Sequence, residues 1–420
     1  MFDQSFNKVS VSKSLRKSDF LKHPKIRDPR IKSDTITSAI ERANAGFQGH
    51  DLLASSIVKG KKVFKIKRFS DELLLRKINK NIQKNIKISA PSRDTIIANI
   101  KNLISEGVAY RVYRFDIKSF YESFDTASVA AHVSTIPKLS QATKKMVRDI
   151  LDHHVATGGR GIPRGLALSA TLSELMMFDF DNSIRAHNHV FFYSRYVDDM
   201  IFITSKNEDQ IDFKKFISKL LPSGLKLNEK KTIVCEANQD VKPYKPTATP
   251  PDKILEFEFL GYKLSVYEPV KNSERSQLRS VLLDIAESKV KKIKTRVTRS
   301  LISYRQNLNF KLLKLRLQFL TSNFSVPDID RERKRLAGIY YNYHRIDFEE
   351  SKALGELDSF LQKAILSSHG KIFEDFFCNT TVAQRRELMK LSFSRGFKEK
   401  TFLHFSKNNL IQIQECWNYA

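Results

Sequence analysis

The sequence predicts an α+β chain, with an antiparallel sheet in its middle and a helical C-terminal region. Three observations carry that prediction. Residues 110–117 (YRVYRFDI) alternate polar and apolar, as a half-buried strand does. Residues 189–204 (HVFFYSRYVDDMIFIT) read as two apolar strands meeting at Asp198-Asp199, a residue type that tolerates turn geometry. After about residue 270 the strand signals fade and a strongly basic helical spacing takes over.

The elements follow in order. Residues 1–55 form a polar, basic N-terminal extension in which Pro24 and Pro29 limit helices to short pieces. Val63, Phe64 and Ile66 lie among lysines and predict a basic strand. A helical or irregular stretch runs to Pro91, and Ile96, Ile97, Ile100, Leu103 and Ile104 predict a helix capped by Ser92 or Asp94. After the strand 110–117, a helix is expected near Asp125. A glycine-rich loop covers 158–161, and an apolar helix covers Ala167–Asp181. Another helix spans about 208–221. A strand pair is expected at 231–235 and 257–264, separated by a loop with Pro243, Pro246, Pro250 and Pro251. Residues 276–319 read as helix. The predicted domains are therefore 1–55, 56–270 and 271–420.

Composition narrows the function. The 420 residues carry 73 Lys and Arg against 46 Asp and Glu, a net charge of +27 that favours a polyanionic partner, nucleic acid above all. No apolar run approaches the ~18 residues of a membrane span, and residues 1–20 lack a signal-peptide core. Cys235, Cys378 and Cys416 are distant from one another and odd in number, which fits a reducing cytoplasm and no zinc site.

Tyr196-Val197-Asp198-Asp199 is the sharpest local feature. On its own the aspartate pair reads equally as an ordinary β-turn. Asp116, at the end of the alternating strand, could likewise be a simple cap. An antiparallel sheet can bring the three together. Crowded carboxylates favour a cation, and Mg²⁺ prefers carboxylate oxygen while keeping positions for water and phosphate. Two such ions (Mn²⁺ could substitute) suit in-line nucleotidyl transfer.

The ordered series of motifs over roughly 60–265 resembles the reverse transcriptases. Residues 115–124 (FDIKSFYESF), 161–169 (GIPRGLALS), 196–199 (YVDD), 224–232 (GLKLNEKKT) and 257–264 (FEFLGYKL) are similar to five motifs of that family in order. The resemblance implies a right-hand polymerase: fingers and palm over 56–270, then a helical thumb and C-terminal region. It makes Asp116, Asp198 and Asp199 catalytic, with Asp116, Asp198 and the Ile117 carbonyl as metal ligands. Nucleotide contacts fall on Ser119, Phe120, Tyr121, Arg164, Gly165, Lys231 and the fingers residues Lys67 and Arg76, with Lys65, Arg68 and Arg93 as rivals. Tyr121 matches the ring that excludes a ribose 2′-hydroxyl, and Lys231 matches the lysine that protonates pyrophosphate. Phe259, Leu260 and Gly261 match the primer grip.

The basic helix beyond the palm places Lys289, Lys292, Arg296 and Arg299 where a thumb clasps a template–primer duplex, since A-form duplexes are read through phosphates. Tyr340, Tyr341, Tyr343 and His344 suit either core packing or base stacking. Arg164, where many relatives have Gln, and the segment 163–169 resemble bacterial abortive-infection and "unknown group" reverse transcriptases, type 2 among them. That likeness implies antiphage defence in the cytoplasm. It also implies a structured noncoding RNA as template, a cDNA product, dNTPs as substrates and a ribonucleoprotein or oligomer as the assembly. Template-independent or protein-primed DNA synthesis, RNA synthesis, and a non-catalytic RNA-binding module are the alternatives.

Overall fold

The computed structural model describes residues 2–47, 49, 51–58, 60–86, 91–238, 252–268, 278–328 and 333–417. The chain forms two compact units. The first takes residues up to 93 and 109–238, and the second takes 94–108 and the chain after 238.

The first unit is built on strands β1 (Leu53–Val58), β2 (Lys61–Ile66), β3 (Tyr110–Asp116), β4 (Val190–Tyr196), β5 (Asp199–Ser205) and β6 (Ile233–Ala237). β1 and β2 form a separate hairpin; the other four form an antiparallel sheet in the order β4-β5-β3-β6. Side chains alternate faces along a strand. Tyr113 and Phe115 of β3, Phe202 of β5 and Tyr193 of β4 therefore share one face. Phe213 of the helix Gln210–Leu220 meets Tyr113 at 5.0 Å and Phe202 at 5.7 Å, and Phe180 of the helix Ala167–Arg185 meets Tyr193 at 6.1 Å. Each such buried ring contributes about 1.5–3 kcal/mol. Arg114 and Asp116 fall on the opposite face.

A cavity of about 600 Å³ lined by Tyr113, Phe115, Lys214 and Thr232 belongs to the helix-covered face, away from Asp116.

The N-terminal segment differs from expectation. Pro29 does not end a helix but starts one, Pro29–Ala45, with Asp28 accepting from the Arg30 amide. Proline fits the first helical position, where its missing N–H is no loss. In the stretch before Pro91, expected to be helical or irregular, the structure has the helix Phe69–Asn85.

The second unit holds a three-stranded antiparallel sheet of β7 (Lys253–Phe259), β8 (Tyr262–Tyr267) and β9 (Ser280–Ile285). A hairpin of β10 (Asn323–Asp328) and β11 (Arg333–Gly338) follows. The expected pairing of 231–235 with 257–264 does not form. β6 pairs with β3, and 257–264 is itself a hairpin turning at Leu260-Gly261. Leu260 at φ +46° and Gly261 at φ +84° make that two-residue turn, which short-range alternation does not reveal. Residues 280–285 are strand rather than helix, so the basic helix starts at Glu287 and runs to Asn307. Its buried stripe is Val290, Val297, Leu301 and Tyr304. The proline-containing loop at 243–251 and the predicted boundary at 270 lie outside the described residues.

Candidate active site

β3 and β5 pair so that Asp116 stands directly across from Asp199. Directly opposed residues lie on the same face of a sheet. Beyond the ladder, the Ile117 amide donates to the Asp198 carbonyl at 3.1 Å, tying the end of β3 to the tip of the β4–β5 hairpin. The hairpin turns at Val197-Asp198, one residue earlier than the sequence suggests, with Val197 at φ +61°. The three predicted carboxylates are thus neighbours. Burial, and then the like charge of Asp116, raises the Asp198 carboxyl above its ordinary range. Asp199 is raised by burial as well, against the pull of Arg114, whose guanidinium lies 3.7 Å away.

The Asp116 carboxylate is held from two sides. Lys231 Nζ donates to Oδ1 at 2.9 Å, and Asn228 Nδ2 donates to Oδ2 at 2.9 Å. The Asn228 amide also donates to the Asp116 carbonyl at 2.7 Å. Gly224, at φ +88°, lets this segment approach: a Cβ there would lie 2.1 Å from the Ser123 carbonyl. Asn228 was missed at the sequence level, although it sits inside the motif that supplied Lys231.

Ser119, exposed and at φ +48°, opens the short helix Phe120–Ser123. Phe120 is a core ring, buried against Phe124, and is not placed to touch a nucleotide. Its neighbour Tyr121 is only partly buried and lies within electrostatic reach of Asp198. Arg164 does not stand free for substrate. Its Nε and Nη2 donate to Glu122 at 2.6 and 3.0 Å, and the guanidinium lies 5.0 Å from the centre of the Tyr121 ring. Arg164 therefore backs the ring from its face. Two glycines allow this fit. A Cβ on Gly161 would meet the Tyr121 carbonyl at 2.2 Å, and one on Gly165 would meet the Phe64 carbonyl at 2.7 Å. The Phe64 amide in turn donates to the Arg164 carbonyl at 2.7 Å, seating this loop on the β1–β2 hairpin.

The fingers assignments need correction. Arg76 is buried and serves as an internal tie: it donates to Asp19 at 2.7 and 3.0 Å, and also pairs with Glu72. An arginine on an amphipathic helix gives no sequence sign of which carboxylate it will meet. Lys67 is exposed but pairs with Asp51. Lys65 and Arg68 are exposed; Lys61, at the start of β2, is the hairpin cation whose charge is felt at both Asp198 and Glu122.

In the second unit Phe259 is fully buried, with Leu260 and Gly261 at the turn that follows it. Lys289 is exposed, and Lys292 and Arg299 are half-exposed. Arg296 is drawn inward instead. Its guanidinium lies 5.3 Å from the Trp417 ring centre, and the Trp417 indole N–H donates to the Arg296 carbonyl at 3.0 Å. Tyr340 packs on Phe397 and Tyr343 on Tyr262, so these rings serve the fold; His344 bonds Asp94 at 2.6 Å.

Among the described residues, no three Asp, Glu, His or Cys side chains converge closely enough to hold a metal ion as they stand. The donor chemistry still fits a hard cation. Asp116 and Asp198 offer carboxylate oxygens in a crowded, partly buried place where a positive charge relieves repulsion.

Residues 68–264 match the family described as reverse transcriptase (RNA-dependent DNA polymerase). No curated protein matches the chain. Solved structures similar to it include telomerase from Candida tropicalis in complex with a TWJ fragment of telomeric RNA, at 14% identity over 93% of this chain and 68% of that one, with a TM-score of 0.33. The corresponding telomerase complex from Candida albicans matches at 14% identity over 82% and 53%, with a TM-score of 0.30. Apo telomerase from Candida tropicalis, truncated of its C-terminal domain, matches at 16% over 46% and 43%, with a TM-score of 0.31. The chain spans about half the length of two of these structures, 43% of the truncated apo telomerase and 53% of the Candida albicans telomerase. The matched stretch, residues 68–264, is thus similar to a reverse transcriptase domain and contains Asp116, Asp198 and Asp199.

Proposed function

We propose that this chain extends a primer 3′-hydroxyl with dNTPs along an RNA template, and that it acts in antiphage defence by copying a structured noncoding RNA. The observation that carries the polymerase reading is the meeting of Asp116, Asp198 and Asp199 at one end of the β3–β5 pair. Tyr121 and Lys231 stand around that cluster. The defence reading is supported by the likeness of residues 163–169 to abortive-infection reverse transcriptases and by the charge of +27, which suits a bound RNA.

Asp116 and Asp198, with the Ile117 carbonyl, would hold Mg²⁺. When bound, two such ions lower the pKa of the attacking hydroxyl and offset charge on the departing pyrophosphate. The 3′-hydroxyl would lose its proton to solvent, and its oxygen would form a bond to the α-phosphorus as the bond to pyrophosphate breaks. Lys231 is placed to supply a proton to that leaving group. Lys61 and Lys231 replace Arg76 as the cations facing the triphosphate. Tyr121 closes the sugar side, where a 2′-hydroxyl has no room.

The test is to purify the protein with its bound nucleic acid, supply Mg²⁺ with labelled dNTPs or NTPs, and sequence RNA and product together. DNA complementary to one enriched RNA, lost in Asp198→Ala along with phage protection, is the expected result. Homopolymeric or RNase-indifferent product would mean template-independent addition. Specific RNA with no synthesis would mean a binding module.

A further inference from the structure

Arg195 lies on β4, three residues before Asp198, and its side chain is only 3% exposed. It is opposite Met200 in the β4–β5 register, on the face that the helix Ala167–Arg185 covers. All five of its N–H donors are used. Nε and Nη2 grip Asp181 at 3.1 and 2.8 Å, and Nη1 and Nη2 grip Glu174 at 2.9 and 2.7 Å. The remaining Nη1 hydrogen goes to the Val197 carbonyl at 3.1 Å. Tyr193 holds Asp181 from the other side at 2.7 Å.

Two facts make the fifth bond more than packing. Val197 is β-branched and sits at φ +61°, a conformation such residues rarely adopt unless their surroundings impose it. The peptide that accepts from Arg195 is also the one that leads into Asp198, whose own carbonyl receives the Ile117 amide. A backbone held at both of these points fixes where the Asp198 Cβ projects and so narrows the directions its carboxyl can take. A planar five-donor fork is required; a lysine ammonium cannot reach two carboxylates and a carbonyl together.

We propose that Arg195 is a positioning residue for the polymerase reaction, a strut from the helix Ala167–Arg185 that holds the Val197 turn so that Asp198 faces Asp116. This rests on the proposed polymerase function. A bare Arg195→Met would strand the buried Asp181 carboxylate and the half-buried Glu174 carboxylate, so the informative variant is the triple Arg195→Met, Glu174→Gln, Asp181→Asn, which removes the strut and its counter-charges together. Arg195→Lys is the companion variant, keeping the charge but losing the fork.

Three readouts are taken: thermal melting, steady-state incorporation of dNTP, and amide hydrogen exchange of residues 196–200. Both variants should fold, lose about 10- to 100-fold in kcat, the range found when support of a ligand is removed, change KM for dNTP less than threefold, and exchange faster at the turn. A rate within twofold of the parent protein, or unchanged exchange at the turn, in either folded variant would reduce Arg195 to a structural counter-charge. If the parent protein makes no product, the polymerase reading fails, and the exchange measurement alone still decides whether Arg195 holds the turn.

Discussion

At the residue scale, the clearest departure from a simple family pattern is Arg164. Its charge is spent on Glu122 and its plane on Tyr121, so under the proposed function it acts on the ring that excludes a ribose 2′-hydroxyl and not on substrate directly. Glu122→Gln weakens that pair, and Arg164→Gln removes it together with the ring contact. Both should loosen discrimination against NTPs by about tenfold, the scale of a small steric change in a pocket. Tyr121→Ala should loosen it further, and competition between dCTP and CTP on one template reads all three. His154 gives a second residue-scale prediction. Its ring stacks edge-on with Phe64 at 4.5 Å, bonds the Arg160 carbonyl at 3.2 Å, and is held below the ordinary histidine pKa chiefly by burial. The folded state thus favours neutral imidazole. Its contribution to stability is fully present above about pH 6.5, the ordinary histidine value, and is lost as pH falls below that. Melting temperature should drop from pH 7 to pH 5, and part of that drop should vanish in His154→Gln.

Elements show where a side chain's role depends on which face it occupies. The helix Glu287–Asn307 presents Lys289 outward, while Arg296 on the same helix lies against Trp417. Arg296→Ala should therefore destabilise the second unit by about 1–2 kcal/mol through lost packing and cation–π contact. Trp417 is the only tryptophan, so a fluorescence melt reports it directly. Lys289→Ala should leave that melt unchanged and weaken RNA binding about two- to tenfold; the reverse pattern would contradict the assignment. Strands β3, β4 and β5 were legible because alternation and a turn are local signals. Strand β9 was not, because the residues on either side of it are basic and helical in spacing. Nor was the partner of β6: strand pairing is decided by long-range packing, not by neighbours in the chain. Pro29 misled for a related reason, since a proline that breaks a helix interior also starts a helix well.

For the molecule as a whole, charge is the dominant property. With the RNA partner proposed above, a net +27 predicts binding driven by counterion release. The logarithm of affinity should fall linearly with the logarithm of salt, with a slope steeper than about −3, as several phosphate contacts require. Filter binding from 50 to 300 mM KCl tests this, and a flat response would remove the basic surface as the RNA site. Among the described residues, no helix is long and apolar enough to cross a membrane.

The sequence by itself determined the order of the chemistry: Asp116 on a strand end, Asp198 and Asp199 at a hairpin, Lys231 downstream, and an excess of cations. Those are properties of residue type and short spacing. Tertiary structure alone decided how these groups are used. It turned Arg76 into an internal tie, gave Arg164 to Tyr121, brought Asn228 to Asp116 across 112 positions, and tied Arg195 to the Val197-Asp198 turn. The reason is physical. A buried charge must find its partner within about 3 Å in space, and the partner's place in the sequence leaves no trace until the chain has folded.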